Sequence, residues 1–323
     1  MTLRIREDSG AGAAPYIELE ANGAVKAYNG HVDLGTGVET ALAQIVAEEL
    51  DLEPEQVTMV LGHTGQVPDQ GPTIASETIQ VAAEPLRRAS AQARRWLVQR
   101  AALRFNTAPE DIVCRDGATW HEGASLPYAE LLGGAETELV LDLDTPVKPR
   151  CEYRVVGTPA PRVDIEGKAT GQHRFVQDLK VGGLVHGHVV RPPYAGRDIG
   201  DFVGRSFLGY DAASVAGMPG LIEIVCIGDF LAVVAEGEDQ ARQIAERLEV
   251  RWRMPPRLAG MDDLAETVEA QPATPRVLDR AGDFDRGISE CRVRRRRRYV
   301  WPYHEHGSIG PSCAVADWNG GRP

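Results

Sequence analysis

A glycine turn between two contrasting sequence patterns does most to limit what this chain can fold into. The stretch Gly30–Leu50 begins as a strand, turns at Gly35-Thr36-Gly37, and continues with the apolar spacing of an amphipathic helix. Glycine takes positive φ angles readily and lets the backbone approach a ligand closely. A helix N-terminus presents free N–H groups and a partial positive charge. Because such turns are common, this one alone is only a weak indication of a site for an anionic cofactor.

A second segment, Pro68–Thr78, makes the first more informative. It reads P-D-Q-G-P-T-I-A-S-E-T, which combines turn-forming residues with several hydroxyl side chains. A long helix rich in Ala, Leu and Arg is predicted directly after it, over residues 76–105, where Pro85 should produce a kink or mark the first turn. Two turns, each leading into a helix, together indicate a functional role.

Composition limits the class of protein. The chain has 323 residues, enough for two or three domains, and its net charge of −12 argues against nucleic-acid binding. The run Arg292–Arg298 is the local exception, and we interpret it as a strand facing solvent or an acidic partner. The apolar stretch Leu221–Ala235 is too short and too charged to span a membrane.

The five cysteines are dispersed and form no C-x-x-C pair, which argues against an iron–sulfur cluster or zinc ribbon held by this chain. Reduced thiols and the lack of a basic, apolar leader together predict a cytoplasmic protein.

The remaining pattern predicts an α+β fold with a cofactor-binding unit at 1–150, a second unit at 160–255 and an incomplete third at 281–323. Residues 135–160 are rich in proline and are interpreted as a connecting arm. Strands are predicted at 16–20, 24–28, 56–61, 112–114, 118–120, 187–190, 221–225, 230–235, 249–252, 292–300 and 312–316, and further helices at 39–51, 126–132 and 239–248. The acidic pair Glu48-Glu49 is predicted to lie on the solvated face of the first helix.

Three blocks give the chain a family resemblance. The opening stretch is similar to G-x-V-E-x-G-Q-G-x-x-T-x-x-x-Q-I-x-A-E-E-L, and Pro72–Thr78 is similar to P-T-x-A-S-x-S/T. Residues 162–193 are similar to R-V-D-I-x-x-K-x-T-G followed by G-x-L-H-G-x-V-V-R-P-P. In this order the blocks resemble the molybdopterin-binding large subunit of the xanthine dehydrogenase and aldehyde oxidase family, in the branch with isoquinoline 1-oxidoreductase and nicotinate dehydrogenase beta-type subunits. The resemblance implies a molybdopterin-binding α+β unit followed by an aldehyde oxidase/xanthine dehydrogenase a/b hammerhead domain.

The resemblance also implies a function. It is that of a molybdenum hydroxylase subunit, which oxidises an N-heteroaromatic or an aldehyde with oxygen from water. The cofactor would be molybdopterin, as the cytosine dinucleotide, with molybdenum; 2Fe–2S clusters and FAD are expected on partner chains. The residues implied to line the cofactor are Gly35, Thr36, Gly37, Thr40, Thr73, Ala75, Ser76 and Thr78.

The chain differs from the family pattern at two site positions and lacks one catalytic residue of that pattern. Thr36 stands where the family has the Gln of G-Q-G, and His304 stands where a P-Y-Q-M-H segment carries a Gln that approaches a molybdenum oxygen. Imidazole can also donate a hydrogen bond, although its charge changes near neutral pH. The family's catalytic glutamate, in a G-x-G-E segment, does not occur here, so no residue of this chain is identified as the catalytic base.

Several interpretations therefore stay open. The chain could be half of a split large subunit, completed by a second polypeptide that carries the glutamate and by an iron–sulfur subunit. It could instead be a truncated, non-catalytic fragment or an interaction subunit, or a subunit of the carbon monoxide or aldehyde dehydrogenase type. His304 and His306 alternate on the predicted strand and could face the cofactor, simply pack or, least favoured, bind a metal.

Overall fold

A computed structural model of the chain describes residues 2–8, 13–133, 136–193, 206–254, 262–302, 304, 307, 309–310 and 312–318. The chain divides into two compact units, Met1–Arg174 and Phe175–Pro323. The block at 162–171, which the sequence assigned to the second domain, therefore lies in the first unit.

The described part of the first unit contains eight strands, four α-helices and one π-helical turn. In chain order they are β1 (Leu3–Arg6), β2 (Pro15–Leu19), β3 (Val25–Asn29), α1 (Val38–Leu50), β4 (Val57–Leu61), the π-helical turn Thr78–Ala82, α2 (Ala83–Phe105), β5 (Val113–Arg115), β6 (Ala118–His121), β7 (Ala124–Pro127), α3 (Tyr128–Leu131), β8 (Thr137–Val140) and α4 (Ile165–Ala169).

Five of these strands form one mixed sheet in the order β4-β3-β2-β1-β8. β2 is antiparallel to both neighbours, and Ile17 pairs with Ile5 on one side and with Ala27 on the other. The outer pairs, β3 with β4 and β1 with β8, are parallel. Parallel neighbours need a crossover connection, and α1 provides it between β3 and β4. The glycine turn consequently lies where the chain leaves β3 for α1.

The core of the first unit contains residues of this sheet and of the two long helices. Leu42, Val46 and Leu50 repeat every four residues along α1 and are fully buried, as an amphipathic helix requires. Each such side chain contributes about 1.5–3 kcal/mol on burial. The predicted helix after the glycine turn is confirmed. α2 is confirmed too, with Pro85 in its first turn.

The acidic pair at the end of α1 is buried, so the prediction of a solvated face was wrong. Glu48 is only 2% exposed, and its Oε2 accepts three backbone N–H groups from residues 154–156, at 2.9, 2.7 and 2.9 Å. Glu49 forms an ion pair with Arg87 at 2.8 Å. A carboxylate can be buried when it receives several donors. The donors come from about a hundred residues away, and helical periodicity carries no information about them.

Three local predictions in the first unit need correction. β1 was missed, and β8 forms inside the segment that was interpreted as a connecting arm, because β8 pairs with the distant strand β1. The first residues of the helix predicted over 126–132 belong to a strand instead. β7 ends at Pro127, and α3 begins only at Tyr128. β7 pairs with β6, so tertiary pairing overrides the local preference.

The described part of the second unit contains five strands and three helices. They are β9 (His186–Val189), β10 (Phe207–Asp211), β11 (Leu221–Ile227), β12 (Phe230–Ala235), α5 (Glu238–Arg247), β13 (Glu249–Trp252), α6 (Leu264–Glu269) and α7 (Phe284–Glu290). β11, β12 and β9 form an antiparallel sheet in that order, and β10 pairs with β13. Ala241 and Ile244 of α5 are buried in the same cluster as Leu231 and Val233 of β12. The strands predicted at 187–190, 221–225 and 230–235 and the helix at 239–248 are confirmed within two residues.

The last predicted strand pair does not form. The described residues within 292–300 and 312–316 have no strand structure, and their hydrophobic side chains are all more than a third exposed. A strand needs a neighbour with which to share its backbone hydrogen bonds. Six arginines within residues 292–298 also repel one another where no such neighbour holds them.

The mixed helix and strand content agrees with the predicted α+β class. Across the described residues, no helix combines the length and the apolar character that crossing a membrane would require.

Candidate functional site

The glycine turn is organised around one carboxylate. Asp33 Oδ1 accepts the backbone N–H groups of Gly35 and Gly37 at 2.8 and 3.1 Å, and its Oδ2 accepts that of Glu39 at 3.2 Å. Gly35 and Gly37 have φ angles of +95° and +81°, in the left-handed region that favours glycine. The turn therefore wraps its own N–H groups around Asp33 at the start of α1.

These contacts set the charge of the turn. Burial raises the pKa of the Asp33 carboxyl, but the N–H groups of Glu39, Gly37 and Gly35 together outweigh that effect, and the net shift is downward. Asp33 is thus a stable anion at the N-terminus of α1, where the helix dipole favours negative charge. The N–H groups that the sequence suggested would face an external anion are already bonded to this internal one.

The second loop, Pro72–Thr78, contains an unusual backbone conformation. Ala75 and Ser76 have φ angles of +53° and +60°, which cost non-glycine residues about 1–2 kcal/mol each. The N–H of Glu77 bonds to the carbonyl of Ile74 at 3.0 Å and closes the turn. The π-helical turn follows at once; such turns often occur at functional sites. Local strain of this kind persists only where the surroundings hold it.

A buried network of polar groups joins the two loops. His31 Nδ1 lies 2.8 Å from Thr78 Oγ1, and its Nε2 lies 3.2 Å from the carbonyl oxygen of Gln70. The N–H of Gly30 donates to Gln70 Oε1 at 2.8 Å. The side chains of Gln70 and Asn29 both donate to the carbonyl of residue 82, at 2.8 and 3.1 Å. The segment that leaves β3 and the segment before α2 are therefore held together by side chains.

Gly30 is part of the same contact. A Cβ at this position would collide with the carbonyl oxygen of Pro68 and would come within 3.1 Å of the backbone nitrogen of Gln70. The glycine is required here for close approach of two backbones. The N–H of Val32 extends the contact by donating to Thr73 Oγ1 at 3.0 Å.

The predicted site residues of the first unit fall into two groups. The side chains of Thr36, Ala75 and Ser76 are exposed, and a Cβ on Gly35 would meet nothing within 4 Å. These positions are open to a ligand. The others carry internal contacts: Thr73 and Thr78 as above, Thr40 through the N–H of Val163 at 3.1 Å, and Gly37 through the Arg162 side chain, which would lie 3.2 Å from a Cβ there.

Arg162 holds the glycine turn from the outside. Its Nη1 donates to the carbonyl of Gly35 at 3.1 Å, and its guanidinium also pairs with Asp164 at 2.6 Å. That side-chain hydrogen bond, with another from Lys168, holds the pKa of the Asp164 carboxyl well below its usual range. The block at 162–171 is therefore a support for the turn within the same unit.

His304, the ninth predicted site residue, belongs to the second unit and is exposed there. His306, which was predicted to share its strand, lies outside the described residues.

Large apolar side chains near the open positions in the sequence are exposed. Leu34, Ile74 and Val81 are 71%, 59% and 59% exposed. The exposed hydroxyl groups of Thr36 and Ser76 beside apolar side chains suit an organic ligand held by directed hydrogen bonds. This donor set fits the pterin and phosphate groups of a pterin dinucleotide, which need N–H and O–H donors.

The region that contains both loops matches a known family. Residues 3–172 match the model described as the molybdopterin cofactor-binding domain. The chain belongs to the molybdopterin cofactor-binding domain family. The resemblance predicted from the glycine turn, the second loop and the block at 162–171 is thereby confirmed.

Two relatives and one solved structure are similar to this chain. A nicotinate dehydrogenase subunit of Pseudomonas putida is 49% identical over 311 residues, which cover 96% of this chain and 26% of that protein. The isoquinoline 1-oxidoreductase beta subunit of Brevundimonas diminuta is 27% identical over 94% of this chain and 41% of its own length. The solved structure of quinoline 2-oxidoreductase from Pseudomonas putida 86 matches 36% of this chain and 15% of its own, with a TM-score of 0.32 and 29% identity. The chain thus spans about a quarter of the first relative and two fifths of the second.

Sequence reasoning missed the residues that support the two loops. Asp33 carried a usable signal, because an aspartate in a glycine turn commonly accepts the backbone N–H group two residues later. His31, Gln70 and Arg162 had none, since their roles depend on segments 30 or more residues away.

Proposed function

We propose that this chain supplies one wall of a molybdopterin dinucleotide site in a molybdenum hydroxylase that oxidises an N-heteroaromatic or an aldehyde. One observation carries the proposal: the two loops lie within residues 3–172, which match the molybdopterin cofactor-binding domain, and a buried network brings them to one place. The names of the two relatives, a nicotinate dehydrogenase subunit and an isoquinoline oxidoreductase subunit, favour a heteroaromatic substrate over an aldehyde.

The eight positions of the first unit have different tasks in this proposal. Thr36 and Ser76 offer exposed hydroxyl donors, and Gly35 and Ala75 offer backbone that a ligand can approach. Gly37, Thr40, Thr73 and Thr78 hold these four in place through the contacts described above. The side chains bind and orient the cofactor; they do not take or give a proton to the substrate.

When bound, the molybdenum cofactor supplies the transfer of oxygen from water to a substrate carbon and receives the electrons. His304 would donate an imidazole hydrogen bond towards the metal's oxygen ligand, at the position where the family has Gln. We assign the cytosine dinucleotide form to the cofactor and the hammerhead fold to residues 160–255.

The other parts of the reaction belong to other polypeptide segments in this proposal. They are a catalytic glutamate on a second part of the molybdenum subunit, a 2Fe–2S subunit and FAD on a partner chain. We place the assembled enzyme in the cytoplasm, since the cysteines are dispersed and free.

The proposal is tested by the molybdenum content of the complex that co-purifies with the full chain. Thr36→Ala and Ser76→Ala each remove one exposed donor, and we expect each to lower molybdenum retention about tenfold, as the loss of a hydrogen bond to a charged group does. Molybdenum is measured by elemental analysis, and the released nucleotide is identified by mass spectrometry.

Ser125→Ala is the matched control, because Ser125 is an exposed hydroxyl on β7 of the same unit. It should leave the molybdenum content unchanged. An active complex that contains this chain but no molybdenum would refute the proposed function, and equal retention by all three variants would refute the assignment of the two hydroxyls.

A further inference from the structure

A buried histidine stands between the two loops and is not one of the eight positions that the family motifs mark. His31 is 1% exposed, and both of its ring nitrogens have partners, the Thr78 hydroxyl and the Gln70 carbonyl. Its own backbone N–H donates to Asn29 Oδ1 at 3.0 Å, which fixes the backbone from which the ring projects. The ring therefore touches the second loop on one side and the segment that leads into that loop on the other.

The partners decide which nitrogen carries the proton. A carbonyl oxygen only accepts, so the bond to Gln70 requires a proton on His31 Nε2. A neutral ring has a single N–H, and the bond to Gln70 places it on Nε2. Nδ1 must then accept, and the donor is the hydroxyl of Thr78 at 2.8 Å.

We propose that His31 is a positioning residue: as the neutral Nε2–H tautomer it binds the Thr78 hydroxyl and locks the second loop onto the segment before the glycine turn. The lock holds Ala75 and Ser76 in the left-handed conformations that the ligand would contact. That last step, the effect on a ligand, rests on the proposed function; the lock itself does not.

The hydrogen bond to His31 determines what the Thr78 hydroxyl can do. Its hydroxyl proton is committed to His31, so it cannot also be donated to a phosphate. Thr78 sits at the start of the π-helical turn, two residues after Ser76, and is 6% exposed. Fixing Thr78 therefore fixes the C-terminal end of the strained pair. Thr73 fixes the N-terminal end through Val32.

The first test is spectroscopic and needs no cofactor. The full chain has eight histidines, and selective ¹⁵N labelling of their rings distinguishes a protonated from an unprotonated ring nitrogen. We expect His31 to show protonated Nε2 and unprotonated Nδ1. Thr78→Val should shift the Nδ1 signal, and Thr78→Ser, which keeps the hydroxyl, should restore it. A proton on Nδ1 in the wild-type chain, or no shift in T78V, would overturn the lock.

The second test measures the loop by amide hydrogen exchange. T78V should speed the exchange of residues 74–78 about tenfold, because one buried hydrogen bond is lost, and T78S should exchange like the wild type. Thr119→Val is the control: Thr119 is buried like Thr78, and its hydroxyl donates a hydrogen bond to the carbonyl of Leu126 on β7. T119V should leave loop 74–78 unchanged. Equal acceleration by T78V and T119V would reduce the role of Thr78 to general stability and overturn the proposal.

Molybdenum content separates the lock from the proposed function. If the lock orients the ligand site, T78V, which lacks the lock, should retain several-fold less molybdenum than the wild-type complex, and T78S should recover it. If the spectroscopic and exchange results hold but T78V retains full molybdenum, the link from the lock to the ligand is refuted. If the wild-type complex contains no molybdenum at all, the proposed function fails and the lock stands.

Discussion

The glycine turn at 33–37 and the loop at 72–78 differ in where their polar groups find partners. In the turn, Asp33 satisfies N–H groups within six residues of itself, and glycines take the positive φ angles. In the loop, Ala75 and Ser76 take those angles at a cost, and the loop is tied to the segment 31–32 through two threonine hydroxyls. The carboxylate that organises the turn is local, and Arg162 adds a distant contact, whereas the loop depends on a segment more than 40 residues earlier. A change in the turn should therefore act on the turn alone, and a change at the contact should act on the loop.

The largest effect is expected where the two segments touch. Gly30→Ala forces a Cβ against the carbonyl of Pro68, and neither backbone can move without losing hydrogen bonds. We expect it to lower the free energy of unfolding by about 3 kcal/mol and to release the loop. Urea denaturation measures the first effect and hydrogen exchange of residues 70–78 the second.

Gly167→Ala is the control for that substitution. It lies in α4 of the same unit, and its nearest neighbour, His173, is 3.6 Å from the added Cβ, an ordinary contact. Alanine favours a helix more than glycine does, so G167A should not destabilise the chain. If G30A is as well tolerated as G167A, the close approach is not what joins the loops.

The next effect is expected inside the glycine turn. Asp33→Ala removes the carboxylate that caps α1 and should cost about 1–2 kcal/mol, while the second loop keeps its hydrogen-exchange protection. Asp33→Asn keeps one acceptor oxygen but loses the charge, so its stability should fall between those of the wild type and D33A. Urea denaturation of the three proteins at pH 7 gives the order.

The pH dependence of this effect has a definite sign. The pKa of Asp33 is lower in the folded chain than its ordinary value, so the ionised form stabilises the fold above about pH 4, the unfolded value. This stabilisation is lost as the pH falls through the folded value. The difference between wild type and D33N should therefore shrink towards pH 3. A difference that stays constant from pH 7 to pH 3 would mean that the charge of Asp33 contributes nothing.

The smallest effect is expected from relief of strain in the second loop. Ala75→Gly removes the left-handed penalty but adds freedom to the unfolded chain, so the net gain is about 0.5–1 kcal/mol. Thermal unfolding should show a small rise in Tm. Ala91→Gly, in the middle of α2, should instead cost about 1 kcal/mol. A loss in A75G as large as that in A91G would show that Ala75 is not strained.

The same contrast explains how far the sequence could predict this molecule. The elements whose signal is local were found: α1, α2, the hairpin of β2 and β3, and most of the strands and the helix α5 of the second unit. Elements defined by distant pairing were missed or misread, as with β1 beside β8 and the buried Glu48.

The candidate site divides in the same way. Its two loops and the open positions Thr36 and Ser76 could be placed from motif and turn chemistry. The supports could not, because a contact such as His31 with Thr78 or Arg162 with Gly35 leaves no periodic trace in the sequence.

The buried carboxylate of Glu48 has a consequence for where the first unit can be cut. Its three donors belong to residues 154–156, and Gln44, one turn earlier on α1, donates to the carbonyls of Val155 and Thr158. Shortening the first unit to residues 1–150 would leave a charged group beneath α1 with those donors gone, a change that commonly costs several kcal/mol. The smallest part of this chain that can be expected to fold by itself must therefore extend past Asp164, so that it includes Arg162, whose side chain contacts the glycine turn.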